Sequence, residues 1–108
     1  MTETTTSAPS INSATDPFIV LVEAHRRARH WSFAELARRG DLTQPEVSRV
    51  VHGIRMPTMR HVRGLAEAFA GAPLGLPDEP PDYTHWVSTL IDLADRTRRD
   101  ARAAKENR

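Results

Sequence analysis

From Pro17 to Ala94, apolar residues return every three or four positions, the period of a helix with one buried stripe. Five such stripes are separated by polar or Pro/Gly-containing breaks. Phe18, Leu21, Val22 and His25 mark a first helix, closing near His30 with Arg26, Arg27 and Arg29 in its last turns, where cations suit the helix dipole. Asp16–Pro17 opens it: an N-cap acceptor, then a proline whose missing N–H has no intrahelical partner to lose. Trp31 is placed to act as a hydrophobic staple onto Leu36. A second helix runs from Phe33 to about Gly40 with Leu36 and Ala37 inward. A third runs from Gln44 to about His52 with Val47, Val50 and Val51 inward. Thr58 opens a fourth, carrying Val62, Leu65, Ala66 and Phe69 and ending at Gly71. Asp82 opens a fifth, with Tyr83, Trp86, Val87, Leu90, Ile91 and Ala94 on its stripe. The pattern predicts an all-α fold, a compact five-helix bundle.

The second and third helices are short and sit back to back. Ser32 precedes Glu35 by three residues and Thr43 precedes Glu46 by three, two capping boxes in which each side chain can satisfy a free N–H at a helix start. Pro45 falls in the first turn of the third helix, where proline is tolerated. Residues 38–42 supply a helix end and a bend. Two short helices joined by a tight turn form a helix-turn-helix, a module whose second helix fits the DNA major groove. Opposite the valines of the third helix, Gln44, Pro45, Ser48, Arg49 and His52 share one stripe. An amide, an apolar ring, a hydroxyl and a guanidinium there suit the reading of base edges.

The segments between stripes have their own signatures. Residues 1–15 are Thr/Ser-rich with one acid and an isolated Ile, and are expected to be a disordered tail. Residues 71–81 hold four of the eight prolines and two glycines, a linker or a tightly wrapped loop. The expected organisation is a tail at 1–15, a helix-turn-helix domain at 16–71, a Pro-rich loop at 72–81 and a C-terminal amphipathic helix at 82–108 with a frayed basic end.

At 108 residues the chain is long enough for one domain. Net charge is only +1, but it is unevenly placed: residues 17–71 carry nine Arg against five acids, and residues 96–108 six bases against two acids. Arginine grips phosphate or guanine through paired hydrogen bonds. Absence of cysteine excludes disulfides and Cys-ligated metal. Histidines 25, 30, 52, 61 and 85 lack metal-ligand spacing, and His25 and His61 read as packed residues. No metal, cofactor or small-molecule ligand is expected, and no catalytic grouping is present, so an enzyme is not expected. Without a signal peptide or an apolar run of about 20 residues, a cytoplasmic, nucleoid-associated protein with no membrane partner is expected.

With Ser32–Gly53 set between an amphipathic helix and a Pro57–Thr58 helix start, residues 17–71 resemble the lambdoid-phage repressor and Cro family of helix-turn-helix proteins. The likeness is carried by Arg26, by Glu35, Leu36 and Ala37, by Thr43, Gln44, Val47, Ser48 and Arg49, and by Gly53, Pro57 and Leu65–Ala66. It implies base readout by Gln44 (adenine) and Arg49 (guanine), with Pro45 and Ser48 lining the groove. It also implies phosphate contacts by Ser32, Thr43, His52 and Arg55, and by Arg26 and Arg60. Two positions depart from the pattern. Asp41 stands where the family usually has glycine, with Gly40 one residue early. Val51 stands where an acid often pairs with the first-helix Arg, leaving Arg26 to contact phosphate or to pair with Glu23.

These features lead to a sequence-specific DNA-binding transcriptional regulator, of the phage or prophage immunity-repressor type, that blocks a promoter by binding operator DNA. A small module of this kind usually works as a homodimer reading two half-sites. The expected interface is Leu90, Ile91 and Ala94, with Tyr83 and Trp86 packed in the core. The alternative is an antitoxin-like or adaptor module whose C-terminal helix occupies a partner protein.

Overall fold

The computed structural model describes residues 16–106; the expected tail at 1–15 lies outside the described residues. Among the described residues the elements are five helices: α1 (Pro17–Ala28), α2 (Phe33–Arg39), α3 (Gln44–Val51), α4 (Met59–Ala70) and α5 (Tyr83–Glu106). Each of the first four begins at the residue expected to cap it. Asp16, Ser32, Thr43 and Thr58 each accept, through the side chain, the N–H three residues on.

The helix ends obey one rule that periodicity does not reveal. After α1, α2 and α3 the chain closes with the same paired bonds. Trp31 N–H donates to the Arg26 carbonyl, Leu42 N–H to Ala37 and Ile54 N–H to Arg49, each with a second bond one step inside. This closure requires a left-handed residue after the cap. The positions are His30 (φ 58°), Asp41 (φ 55°) and Gly53 (φ 72°). Asp41 therefore takes the conformation that a glycine usually supplies at the helix-turn-helix bend. The preceding glycine has a different task. A Cβ on Gly40 would meet the Gly64 carbonyl oxygen at 2.5 Å, and one on Gly64 would meet the Gly40 oxygen at 2.6 Å. The two glycines let the end of α2 lie backbone to backbone on the middle of α4.

One core joins all five helices. Phe18, Val22, Leu36, Val62, Phe69, Trp86 and Leu90 are its largest fully buried side chains. At its centre Trp86 meets His25 edge-on at 4.8 Å and Phe69 at 5.0 Å, while Trp31 lies parallel to Phe69 at 6.1 Å. Burial, with Arg29 alongside, lowers the His25 pKa below that of free histidine, so the imidazole packs as a neutral ring.

Residues 72–81 form a tightly wrapped loop held by one carboxylate. Glu79 accepts from the Leu74, Gly75 and Leu76 N–H groups and pairs with Arg29 at 2.8 Å. Both partners are almost wholly buried, at 3% and 4% side-chain exposure. Arg29 also donates to the Phe69 and Ala72 carbonyls and lies over the Phe69 ring. Its role is thus internal rather than a dipole-complementing surface charge.

Two expectations for α5 are corrected. Leu90 and Ala94, expected between copies of the chain, are 0% and 1% exposed inside this chain's own core, because α5 packs lengthwise on α4 and α1. Ile91 is half-buried against the same core. Tyr83, expected inside, is 43% exposed; it begins the helix, and the inward seat one turn on belongs to Trp86. The helix also runs on past its apolar stripe. Thr97 is buried, and its hydroxyl donates to the Asp16 carboxylate at 2.8 Å, joining α5 to the N-cap of α1 across 81 positions.

Candidate nucleic-acid interface

α3 is set into the domain by Val47, Val50 and Val51, all buried. Its opposite face presents Gln44, Pro45 and Arg49 to solvent, with Ser48 half-buried beside them and His52 exposed at the end. The five side chains of the stripe therefore lie on one side of α3. Among the described residues, Arg49 and Arg55 hold no ion pair or side-chain hydrogen bond within the chain.

The start of α3 is held from two sides. Thr43 and Glu46 form the full reciprocal box, Thr43 N–H donating to Glu46 Oε1 at 2.9 Å and Glu46 N–H to Thr43 Oγ1 at 3.2 Å. Arg60, on α4, then donates to Glu46 Oε2 at 2.8 Å. The hydrogen bonds from Arg60 and from the Thr43 backbone hold the Glu46 carboxyl far below the ordinary carboxylate range. Arg60 remains more than half exposed while doing so. A second box lies directly behind: His61 Nδ1 accepts the Thr58 N–H at 3.0 Å, leaving Nε2 3.4 Å from Glu46 Oε2. Burial lowers the His61 pKa, so this imidazole is neutral and carries its proton on Nε2, facing the carboxylate.

At α2, Ser32 Oγ accepts the Glu35 N–H at 3.0 Å, but the reciprocal half of the expected box is missing. Glu35 turns instead to Arg38 and Arg39 at 2.6 and 2.7 Å, where two cations offer more than one neutral N–H. Ser32 and Thr43 are both exposed.

Arg26 is corrected as a phosphate ligand. It takes the second option the sequence left open, pairing with Glu23 at 2.7 Å, and it also donates to the Trp31 carbonyl at 2.6 Å. Its guanidinium lies 4.5 Å over the Phe33 ring, and only 15% of the side chain is exposed. Phe33 in turn meets the His52 ring edge-on at 5.7 Å, and His52 Nδ1 lies 2.7 Å from the Ser48 carbonyl. Arg26 is thus a post that supports the far end of α3 through Phe33 and His52. Val51, standing where an acid is usual, is buried in the core beneath it.

The geometry suits recognition of a groove. A convex helix face carries bidentate and apolar side chains, and the exposed, capped starts of α2 and α3 lie at its border. Among the described residues there is no cluster of three His, Cys, Asp or Glu that could hold a metal ion, and no helix is long and apolar enough to cross a membrane. A family model described as helix-turn-helix matches residues 22–75, half of the chain. Neither the curated proteins nor the solved structures yield a match.

Proposed function

The chain belongs to the helix-turn-helix family of DNA-binding transcription regulators, and on that premise we propose that it is a sequence-specific repressor of the phage or prophage immunity type. α3 lies in the major groove. Gln44 pairs with an adenine, Arg49 with a guanine through O6 and N7, and Pro45 and Ser48 make the close contacts beside them. Ser32, Thr43, His52, Arg55 and Arg60 hold the phosphates on either side, which fixes register without reading sequence. Occupying an operator that overlaps a promoter then excludes polymerase, in the cytoplasm and with no chemistry required.

The observation that carries this reading is the pairing of a rigidly held α3 with an outer face that exposes Gln44, Pro45 and Arg49. Its inner valines, its capping box and the Arg60 and His61 contacts fix the helix, while among the described residues the Gln44 and Arg49 side chains make no hydrogen bond or ion pair. A single module covers few base pairs, so two copies on two half-sites complete the proposal. Their pairing surface lies outside Leu90 and Ala94. Domain limits follow the same reading: residues 16–71 bind DNA, and the loop and α5 complete their core.

Selection of bound sequences from a random duplex pool with the purified full chain tests all of this. A two-fold symmetric consensus is the expected result. An asymmetric one overturns the dimer, and enrichment of no sequence overturns specific binding.

A further inference from the structure

α5 continues for more than three turns after its apolar stripe ends at Ala94, and the extension is tied down by polar contacts. Thr97 bonds to Asp16, and Arg98 donates to the Pro57 carbonyl and pairs with Asp95 at 3.1 Å. Pro57 belongs to the loop between α3 and α4, two residues after Arg55, a separation of at most about 7 Å along the backbone. The Arg98 contact therefore settles which side of α5 faces that loop. Arg102 and Lys105 follow Arg98 at i+4 and i+7, on the same helical stripe, and both are exposed. Arg96 lies on the opposite face of the helix, as does Asp100, the one acid between Arg96 and Lys105, while Arg99, three residues before Arg102, borders the stripe.

We infer that this end of α5 is a second DNA-contacting surface, in which Arg102 and Lys105, rooted at Arg98, grip backbone phosphates beyond those held by Arg55. The inference rests on the DNA-binding reading of α3. Lys105 stands roughly 10 Å past Arg98 along the helix axis. Arg102 and Lys105 thus carry positive charge onward along α5 from the point where Arg98 meets the loop that also holds Arg55. Duplex DNA offers a charge every 1.7 Å or so of its axis, so these cations meet phosphate wherever they lie against the backbone. Base reading is not involved, because these side chains lie outside the α3 stripe. The surface also accounts for the polar ties. The helix extension buries little apolar area, and what it gains is a fixed position for its charges.

The test compares three full-length chains: wild type, R102Q/K105Q and R96Q. Each is bound to a mixed-sequence duplex of about 30 base pairs over roughly 50–200 mM KCl and followed by fluorescence anisotropy. Circular dichroism checks that all three keep their helices. Losing two phosphate contacts should reduce the slope of log affinity against log salt by about 1.8 in R102Q/K105Q, so that its affinity falls roughly tenfold less over that range. R96Q, which loses a charge from the opposite face, should keep the wild-type slope. An unchanged slope in R102Q/K105Q overturns the inference, and so does an equal loss per charge removed in both variants, which would mark a general charge effect. A wild-type chain that binds no duplex overturns the DNA-binding reading itself, a different failure from either.

Discussion

Gly64 stands in the interior of α4, where alanine is the better helix former by about 1 kcal/mol. Propensity alone makes Gly64→Ala stabilising. Packing argues the reverse. The new Cβ would sit 2.6 Å from the Gly40 carbonyl oxygen and 2.8 Å from Leu42 Cγ, and ordinary contact begins at 3.4 Å. The oxygen belongs to the backbone at the end of α2, held there by bonds from the turn, so it cannot swing aside. Relief requires α2 to move off α4. Such overpacking costs about 1–3 kcal/mol, with a backbone obstacle at the upper end. The expected net effect is a destabilisation of about 1–2 kcal/mol, or roughly 5–10 °C in Tm for a domain of this size. Trp31 and Trp86 are both buried, so tryptophan fluorescence in a urea titration reads the transition. Arg63→Ala, an exposed neighbour on the same helix, should stay within about 0.5 kcal/mol of wild type. A Gly64→Ala midpoint at or above wild type, with the same m value, would show that the glycines are not needed for the crossing.

Arg49→Ala should relax selection at one base pair and weaken specific binding by about 1–3 kcal/mol, read by titration against the selected sequence and its single-base variants. Unchanged discrimination would remove Arg49 from the reading face. His25 and His61 have pKa values below 6.5 in the folded chain, so the unfolded chain takes up their protons first. Their contribution is complete above that value and lost as pH falls through it towards the folded pKa. Urea midpoints should therefore drop between about pH 7.5 and 5.5, and a flat or rising profile would contradict the neutral packing of both rings. His30→Gly relieves about 1–2 kcal/mol of left-handed strain against about 0.5–1 kcal/mol of added chain entropy, so thermal melts should show a small gain.

What the sequence makes legible here is local. Asp16, Ser32, Thr43 and Thr58 could be read as caps because a cap and its N–H lie three residues apart. The α3 stripe could be read because its period is intrinsic to a helix. Contacts between distant residues left no such trace. Thr97 to Asp16 spans 81 positions and Arg29 to Glu79 spans 50, and nothing near either residue signals the pairing. Gly40 was visible but its purpose was not, since the need for it comes from Gly64 on another helix. Leu90 and Ala94 show the limit of an apolar stripe. It says that a face is covered, while the covering body, here α1 and α4 of the same chain, is a matter of tertiary packing. Arg26 failed as a phosphate ligand for the same reason: its partners Trp31 and Phe33 are set by how α2 turns back on α1.

The Arg29–Glu79 pair acts on time as well as on stability. Neither charge is repaid for leaving water until the other is seated, and Glu79 cannot be seated until residues 72–81 have closed around its carboxylate. We expect the pair to assemble late, after the barrier to folding has been crossed, so that its strength is felt on the way out. It behaves as a latch. Glu79→Gln should leave the refolding rate near that of wild type and speed unfolding in stopped-flow urea jumps; a slowed refolding arm would place the latch in the nucleus instead. For a small domain the latch lengthens the life of each folded molecule, and with it the interval over which α3 stays presented.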